Sequence, residues 1–180
     1  MSFLENEIIK LRALEPEDLD LLYQWENDGL FWSAGNTLTP YSRFVLRQYM
    51  ESQAEDLYTS RQLRLMIVLK ETEKSIGTLD MFDFDPYHNR AGIGILIDPS
   101  CQDRGFGSQA LELFIQYAFN FLKLKQLYCN VAEDNENSLA LFQKQGFQIS
   151  GKLHSWLKMP DGWKNNYILQ LINDFNEHTN

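Results

Sequence analysis

The chain places Gln102-Asp103-Arg104-Gly105-Phe106-Gly107-Ser108 between an apolar run, Ile93 to Ile97, and a long helical pattern. A strand that stops at a glycine-containing turn and restarts as a helix leaves several backbone N–H groups without intrahelical acceptors, at the positive end of the helix dipole. Anions, phosphates above all, bind at such a terminus. Gly105 and Gly107 lack a Cβ, so the backbone can bend tightly and approach phosphate oxygens, and Arg104 adds a mobile positive charge. Taken alone, the glycines fit an ordinary connecting turn as well. Two familiar phosphate motifs are set aside. Gly105-Phe106-Gly107-Ser108-Gln109-Ala110 fits the dinucleotide pattern ending in Ala, but Lys123, Lys125 and Gln126 stand where that pattern needs an acid about 20 residues on. No Gly-Lys-Ser or Gly-Lys-Thr closes a nucleotide-triphosphate loop anywhere in the chain.

The elements around this cradle follow from periodicity. Ile8 to Leu14 reads as a strand, and Glu15-Pro16-Glu17-Asp18 opens a helix whose apolar side carries Leu19, Leu22, Tyr23 and Trp25. The stretch Leu30 to Pro40 sets Phe31 and Trp32 among Ser, Gly, Asn and Thr, and reads as an acceptor-binding wall or as a loop lid packed on the core. A second helix is expected over Ser42 to Leu57, burying Val45, Leu46, Tyr49 and Met50. Leu63–Leu69 and Ser75–Phe84 read as antiparallel strands joined by a charged turn, and Arg90–Ile97 follows as a third. Beyond the cradle, Leu111, Phe114, Ile115, Ala118 and Leu122 make one buried helical stripe. A strand at Gln126–Ala132, a short helix at Glu136–Gln145 stopped by Gly146, and a strand pair at Phe147–Lys158 and Trp163–Ile172 complete the pattern. The expectation is one α/β (α+β) domain over residues 1–180, a mostly antiparallel mixed sheet flanked by helices.

Composition narrows the function. With 44% hydrophobic and 23% charged residues in 180, the chain can bury a core and is not of the disordered class. No apolar run approaches the roughly 18 residues of a membrane span, and the start at Met1 shows no basic-then-apolar signal, so a cytoplasmic protein is expected. Cys101 and Cys129 are too few for a disulfide framework and lack metal-ligand spacing; reduced thiols and no metal are expected. Sixteen basic against 25 acidic residues give a net charge of −9, which disfavours nucleic acid and anionic membranes. The same charge favours encounter with small cations such as polyamines, and serves solubility equally well.

Gln102-x-x-Gly105-x-Gly107 after a strand, then a helix, a second strand, Asn135, a short helix and Gly146-Phe147, resembles the acyl-CoA-binding half of the GNAT superfamily of N-acyltransferases. Leu11-Arg12-Ala13-Leu14 with Asp18, Trp25-Glu26-Asn27-Asp28, and the ending from Gly151-Lys152-Leu153 to Tyr167-Ile168-Leu169 are similar to the branch holding spermidine N-acetyltransferases and ribosomal-protein N-terminal acetyltransferases.

The resemblance implies acetyl-CoA as co-substrate. Its pantetheine would lie beside Ile95, Leu96 and Ile97 like an added strand, its pyrophosphate on Gln102, Asp103, Arg104, Gly105, Phe106, Gly107 and Ser108, and Asn135 would contact it from the second side. The branch places a proton-donating tyrosine four residues before Gly-Phe; here Phe142 stands at that position, beside the cofactor and with no proton to give. Asp83 matches an acid of the amine pocket and is the first choice for the proton acceptor; Asp80, Asp85, Glu133 and Asp134 are further candidates. Trp32, Asp80, Asp83 and Tyr87 are the expected substrate contacts, and Trp156 and Trp163 could also wall the amine pocket. The expected activity is acetyl transfer to a primary amine, most plausibly a polyamine, by direct attack in a ternary complex of a homodimer or higher homo-oligomer. N-terminal acetylation of a protein and a non-catalytic acyl-CoA or polyamine-binding module are the alternatives.

Overall fold

Alternating apolar residues along the second strand separate two cores: Leu65 and Ile67 pack into one cluster, Met66 and Val68 into the other. The sheet is buried on both faces at this strand. A computed structural model of the chain describes residues 3–29 and 38–174. Its strands are β1 (Ile9–Arg12), β2 (Leu63–Leu69), β3 (Ser75–Asp85), β4 (Arg90–Ile97), β5 (Gln126–Ala132), β6 (Gln148–Met159) and β7 (Gly162–Ile172). They form one seven-stranded sheet in the order β1-β2-β3-β4-β5-β7-β6. Every neighbouring pair is antiparallel except β4 with β5. The mostly antiparallel mixed sheet read from the sequence is the one observed.

The larger core lies under α4 (Phe106–Gln116), whose Ala110, Leu111, Leu113 and Phe114 are buried, and which runs on into a π-helical turn, Tyr117–Phe121. The smaller core lies under α1 (Leu19–Glu26), where Leu22 and Trp25 meet Met66 and Val68. The chain enters α1 through a 3-10 turn, Pro16–Asp18, rather than through a continuous helix. That entry is locked by charge. Arg12 on β1 donates from Nη1 and Nη2 to Asp18 at 2.6 and 2.9 Å, and the Glu15 amide adds a third bond at 2.8 Å. Burial pushes the Asp18 carboxyl up, but these donors outweigh it and hold the group below the usual carboxylate range.

The expected helix over Ser42 to Leu57 is two helices, α2 (Arg43–Ser52) and α3 (Leu57–Ser60). Ser42 caps α2 and Asp56 caps α3, each accepting from backbone amides of the turn that follows; a residue that caps a new helix ends the old one. Of the four residues expected to be buried on α2, only Leu46 is. Met50 packs at the edge of the smaller core, and Val45 and Tyr49 line a cleft. The last helix, α5 (Glu136–Lys144), begins at Asn135 and ends before Gly146, which has φ +91°.

Two predictions follow from this packing. A Cβ added at Gly77 would stand 2.1 Å from the Leu96 carbonyl oxygen, a backbone atom that cannot move alone. Gly77→Ala is expected to part β3 from β4 and cost about 2–3 kcal/mol in denaturant unfolding. Asp18→Asn is expected to cost about 2 kcal/mol at pH 7. Because the folded carboxyl is held down, that contribution is present above the unfolded value of about 3.9 and fades as pH falls through the lower folded value. Unfolding curves of both proteins from pH 7 to pH 2 should therefore converge at the acid end.

Candidate active site

β4 and β5 pair through three register positions only, Arg90 to Gly92 with Gln126 to Tyr128. Past Gly92, β4 stays with β3 while β5 follows β7, and a cleft of about 1230 Å³ opens between them. Backbone groups of β4 that would have faced β5 lose their ladder partners along this stretch, and polar backbone left in that state needs a partner from elsewhere.

One end of the cleft is built for an anion. Gly105 precedes α4 with φ +79° and brings no capping side chain, so the first amides of the helix, at Phe106, Gly107 and Ser108, have no intrahelical acceptor. Gln102, Asp103, Gly105, Phe106, Gly107 and Ser108 line the cleft here. Gln102 donates from Nε2 to the Ile97 carbonyl at 3.0 Å and pins the turn to the strand end. Across the gap, Asn135 caps α5 by accepting from the Ser138 amide at 3.1 Å, a bond through its oxygen that leaves its NH2 available to the cleft. Lys144 lines the same wall from the last turn of α5.

The other end is aromatic and acidic. Trp25 and Glu26 from α1, Tyr41, Tyr49 from α2, Arg64 from β2 and Asp80 from β3 line it. Burial pushes the Asp80 carboxyl above the usual carboxylate range, against the pull of Arg64. Gly94, the register partner of Asp80, leaves open space beside that carboxylate: a Cβ there would meet nothing closer than the Phe82 ring at 4.0 Å. Gly92 has a different reason to be glycine. The Phe82 ring lies over it, 2.2 Å from where a Cβ would be. Trp25 also ties the two ends together, its indole donating to Asp98 at 3.1 Å just before the cradle.

The family model described as acetyltransferase (GNAT) domain matches residues 9–148. The chain belongs to the GNAT acetyltransferase family. A spermidine N(1)-acetyltransferase of Escherichia coli (strain K12) is 31% identical over 152 residues, 81% of this chain and 75% of the relative. The crystal structure of spermidine N-acetyltransferase from Vibrio cholerae in complex with CoA and spermine shares the fold, with a TM-score of 0.84 over 93% of this chain and 96% of that one at 23% identity. A dodecameric structure of spermidine N-acetyltransferase from the same organism does so with a TM-score of 0.77 at 21% identity, over 93% and 95% of the two chains.

In this GNAT domain, Ile95, Leu96, Ile97 and Asn135 line the cleft together with the cradle, while other expected site residues lie elsewhere. Arg104 does not line the cleft itself; its guanidinium lies over the ring of Phe106, which does, 5.0 Å from the ring centre. Phe142 belongs to the buried stripe of α5, 4% exposed and edge to face with Phe147 at 5.2 Å; it does not line the cleft. Asp83 is displaced by a bulge. Two residues, Asp83 and Phe84, stand between register positions where β4 has only Ala91, and the extra residue turns Asp83 out with φ +48° while Phe84 enters the core. Asp83 accepts from the Tyr128 hydroxyl at 3.3 Å in a separate hollow of about 440 Å³ lined also by Asp85 and Arg90. Phe82 lines the cleft, Tyr128 lines the hollow, and their rings meet edge to face, forming the partition.

Tyr87 sits in the β3–β4 turn, 88% exposed, against the His88 ring. Trp156 and Trp163 are exposed on the β6–β7 hairpin. Glu133 is engaged by the Asn165 amide and side chain and by Lys152, which hold its carboxyl down at about 2, and Asp134 pairs with Lys164. Asp85 is also held at about 2, by the His88 amide and ring. Trp32 lies outside the described residues. Cys101 is buried in the cleft wall and Cys129 in the core, where burial pushes its thiol up to about 12.

Sequence reasoning missed Glu26, Tyr41, Tyr49, Arg64 and Lys144 as site residues. The signal that could have found Arg64 is a charge on the inner face of an otherwise apolar strand, Leu63–Leu69. The open space at Gly94 gives a direct test. Gly94→Val is expected to leave the melting temperature nearly unchanged and lower kcat/KM for the amine at least about tenfold, with the KM for acetyl-CoA affected far less.

Proposed function

We propose that the protein is an acetyl-CoA-dependent N-acetyltransferase for small primary amines, with a polyamine such as spermidine as its acceptor. The observation that carries this reading is the single cleft that joins an amide cradle at α4 to an aromatic, acidic arm around Asp80. When bound, acetyl-CoA supplies an acetyl thioester. The open backbone of Ile95, Leu96 and Ile97 would bond the amides of its pantetheine arm, and the NH2 of Asn135 would meet that arm from the opposite wall. The amides of Phe106, Gly107 and Ser108 would hold the pyrophosphate, with Lys144 adding charge on the other side.

Trp25, Tyr41 and Tyr49 offer ring faces to a cationic amine, and Asp80 stands where it can take the ammonium proton. A carboxyl raised by burial is better matched to that task than the held-down Glu133 or Asp85. The neutral nitrogen then attacks the thioester carbon, an N–C bond forms, the nitrogen gives its second proton to water, the C–S bond breaks, and the sulfur leaves with the bonding pair. Because a free thiol ionises near 8.5, the thiolate leaves at mildly alkaline pH without a proton from position 142. Cys101 meets the Ser100 hydroxyl at 3.6 Å, a contact that supplies no general base, which favours direct transfer over an acyl-enzyme.

We extend the reading to a homo-oligomer, supported by the dodecameric assembly of the Vibrio cholerae enzyme of the same fold. A cytoplasmic location is compatible with the described helices, none of which is long and apolar enough to cross a membrane. The test is release of CoA thiol from acetyl-CoA at mildly alkaline pH, with and without spermidine. Spermidine-dependent release, abolished to within about 1% by Asp80→Asn, is the expected result. No release above the blank with spermidine, together with turnover of a peptide bearing a free N-terminus, would replace the polyamine reading by N-terminal acetylation.

A further inference from the structure

The acceptor arm holds one guanidinium between two carboxylates that come from different parts of the chain. Arg64 on β2 is the register partner of Asp80 on β3. Its Nε and Nη2 donate to the two oxygens of Asp80 at 2.5 and 3.1 Å, while Nη1 donates to Glu26 at the end of α1. The guanidinium also lies 5.1 Å from the centre of the Tyr49 ring on α2. The side chains of Arg64, Glu26 and Asp80 are only 17%, 24% and 28% exposed. An ion cluster this deep gains little stability over apolar residues of the same volume, because desolvation offsets the attraction. Its position in the wall of the cleft, beside the space left by Gly94, points to a role in the reaction.

We propose that Arg64 is a positioning residue for acetyl transfer: forked onto Asp80 and tethered to Glu26 and Tyr49, its guanidinium holds the Asp80 carboxylate facing the space where the amine enters. The inference rests on the reading of Asp80 as proton acceptor. In the step it serves, the ammonium N–H bond breaks, its proton passes to a carboxylate oxygen of Asp80, and the nitrogen keeps the electron pair that attacks the thioester carbon. Two carboxylates against one guanidinium leave the arm with one surplus negative charge, which attracts the ammonium before that transfer. The titratable groups facing Asp80 are Arg64 from β2, Glu26 from α1 and Tyr49 from α2. Tyr49, pushed up to about 12 by burial, stays neutral throughout the working range. Arg64 therefore pulls the Asp80 carboxyl down and Glu26 pushes it up.

These opposed effects provide a test that a purely structural role would not pass. The acid limb of kcat/KM against pH is measured with spermidine as the one acceptor throughout, so that the amine's own titration contributes equally to every profile. Arg64→Gln is expected to move the limb up by about one pH unit, and Glu26→Gln to move it down, with the KM for acetyl-CoA within about twofold of the parent in both. Arg64→Lys is expected to keep the limb near its original place and to lose about tenfold in kcat, because an ammonium cannot fork onto a carboxylate. Limbs that stay put in Arg64→Gln and Glu26→Gln while kcat falls, or that move in the same direction in those two variants, would overturn the proposal. Where Arg64→Gln fails to fold by circular dichroism, the limb is read from Glu26→Gln alone, and a limb there that does not move down overturns the proposal. Asp80→Asn separates the two levels: an unchanged acid limb there would remove Asp80 as proton acceptor, whatever the Arg64 variants do.

Discussion

The structure depends on where β4 and β5 part. Backbone polar groups inside a protein must be paired, and a sheet satisfies that requirement by continuous ladders. Here the ladder between the two halves of the sheet runs for three positions and stops. The first half, β1 to β4, is held by antiparallel pairing, and so is the second, β5 with β7 and β6; the two share the larger core under α4. That shared core holds the halves together where the ladder does not. What the seam lacks is a strand, and a substrate with amides spaced along an extended arm can supply one.

The seam also sorts charge. At one mouth, the start of α4 presents unpaired N–H groups and the positive end of a helix dipole, with Gly105 holding the backbone in a left-handed turn that spares the site a capping side chain. At the other, aromatic faces surround a carboxylate kept in check by one guanidinium. A molecule with phosphates at one end and a reactive acyl group at the other is oriented by this polarity alone, and a cation is drawn to the acyl end. The Trp25 to Asp98 hydrogen bond, joining the acidic arm to the turn that leads into the cradle, keeps the two mouths in a constant relation.

Local features of the site were legible because they are written in consecutive residues. The strand and the helix on either side of the glycine turn stand where they were expected, and Arg90–Ile97 and Gln126–Ala132 have the bounds expected of them. The break after Ser52 was not legible, since periodicity continues across it and only the capping geometry of Asp56 ends one helix and begins the next. Asp83 illustrates a second limit. Alternation along β3 cannot reveal an inserted residue, and one bulge is enough to carry a carboxylate past Phe82 into another hollow.

The sequence by itself determined the bounds of β4 and β5, the glycine turn that leads into α4, the stop of the last helix at Gly146, and that position 142 holds no proton to give. These are properties of a few neighbouring residues and their backbone. Tertiary structure alone decided which side chains meet. Arg64 reaches Glu26 across 38 residues and Asp80 across 16, through contacts set by sheet register and by the docking of α1, and neither is encoded in spacing. The acceptor arm was thus beyond sequence reasoning for the same reason that the cradle was within it: one is assembled by long-range packing, the other by a single turn of chain.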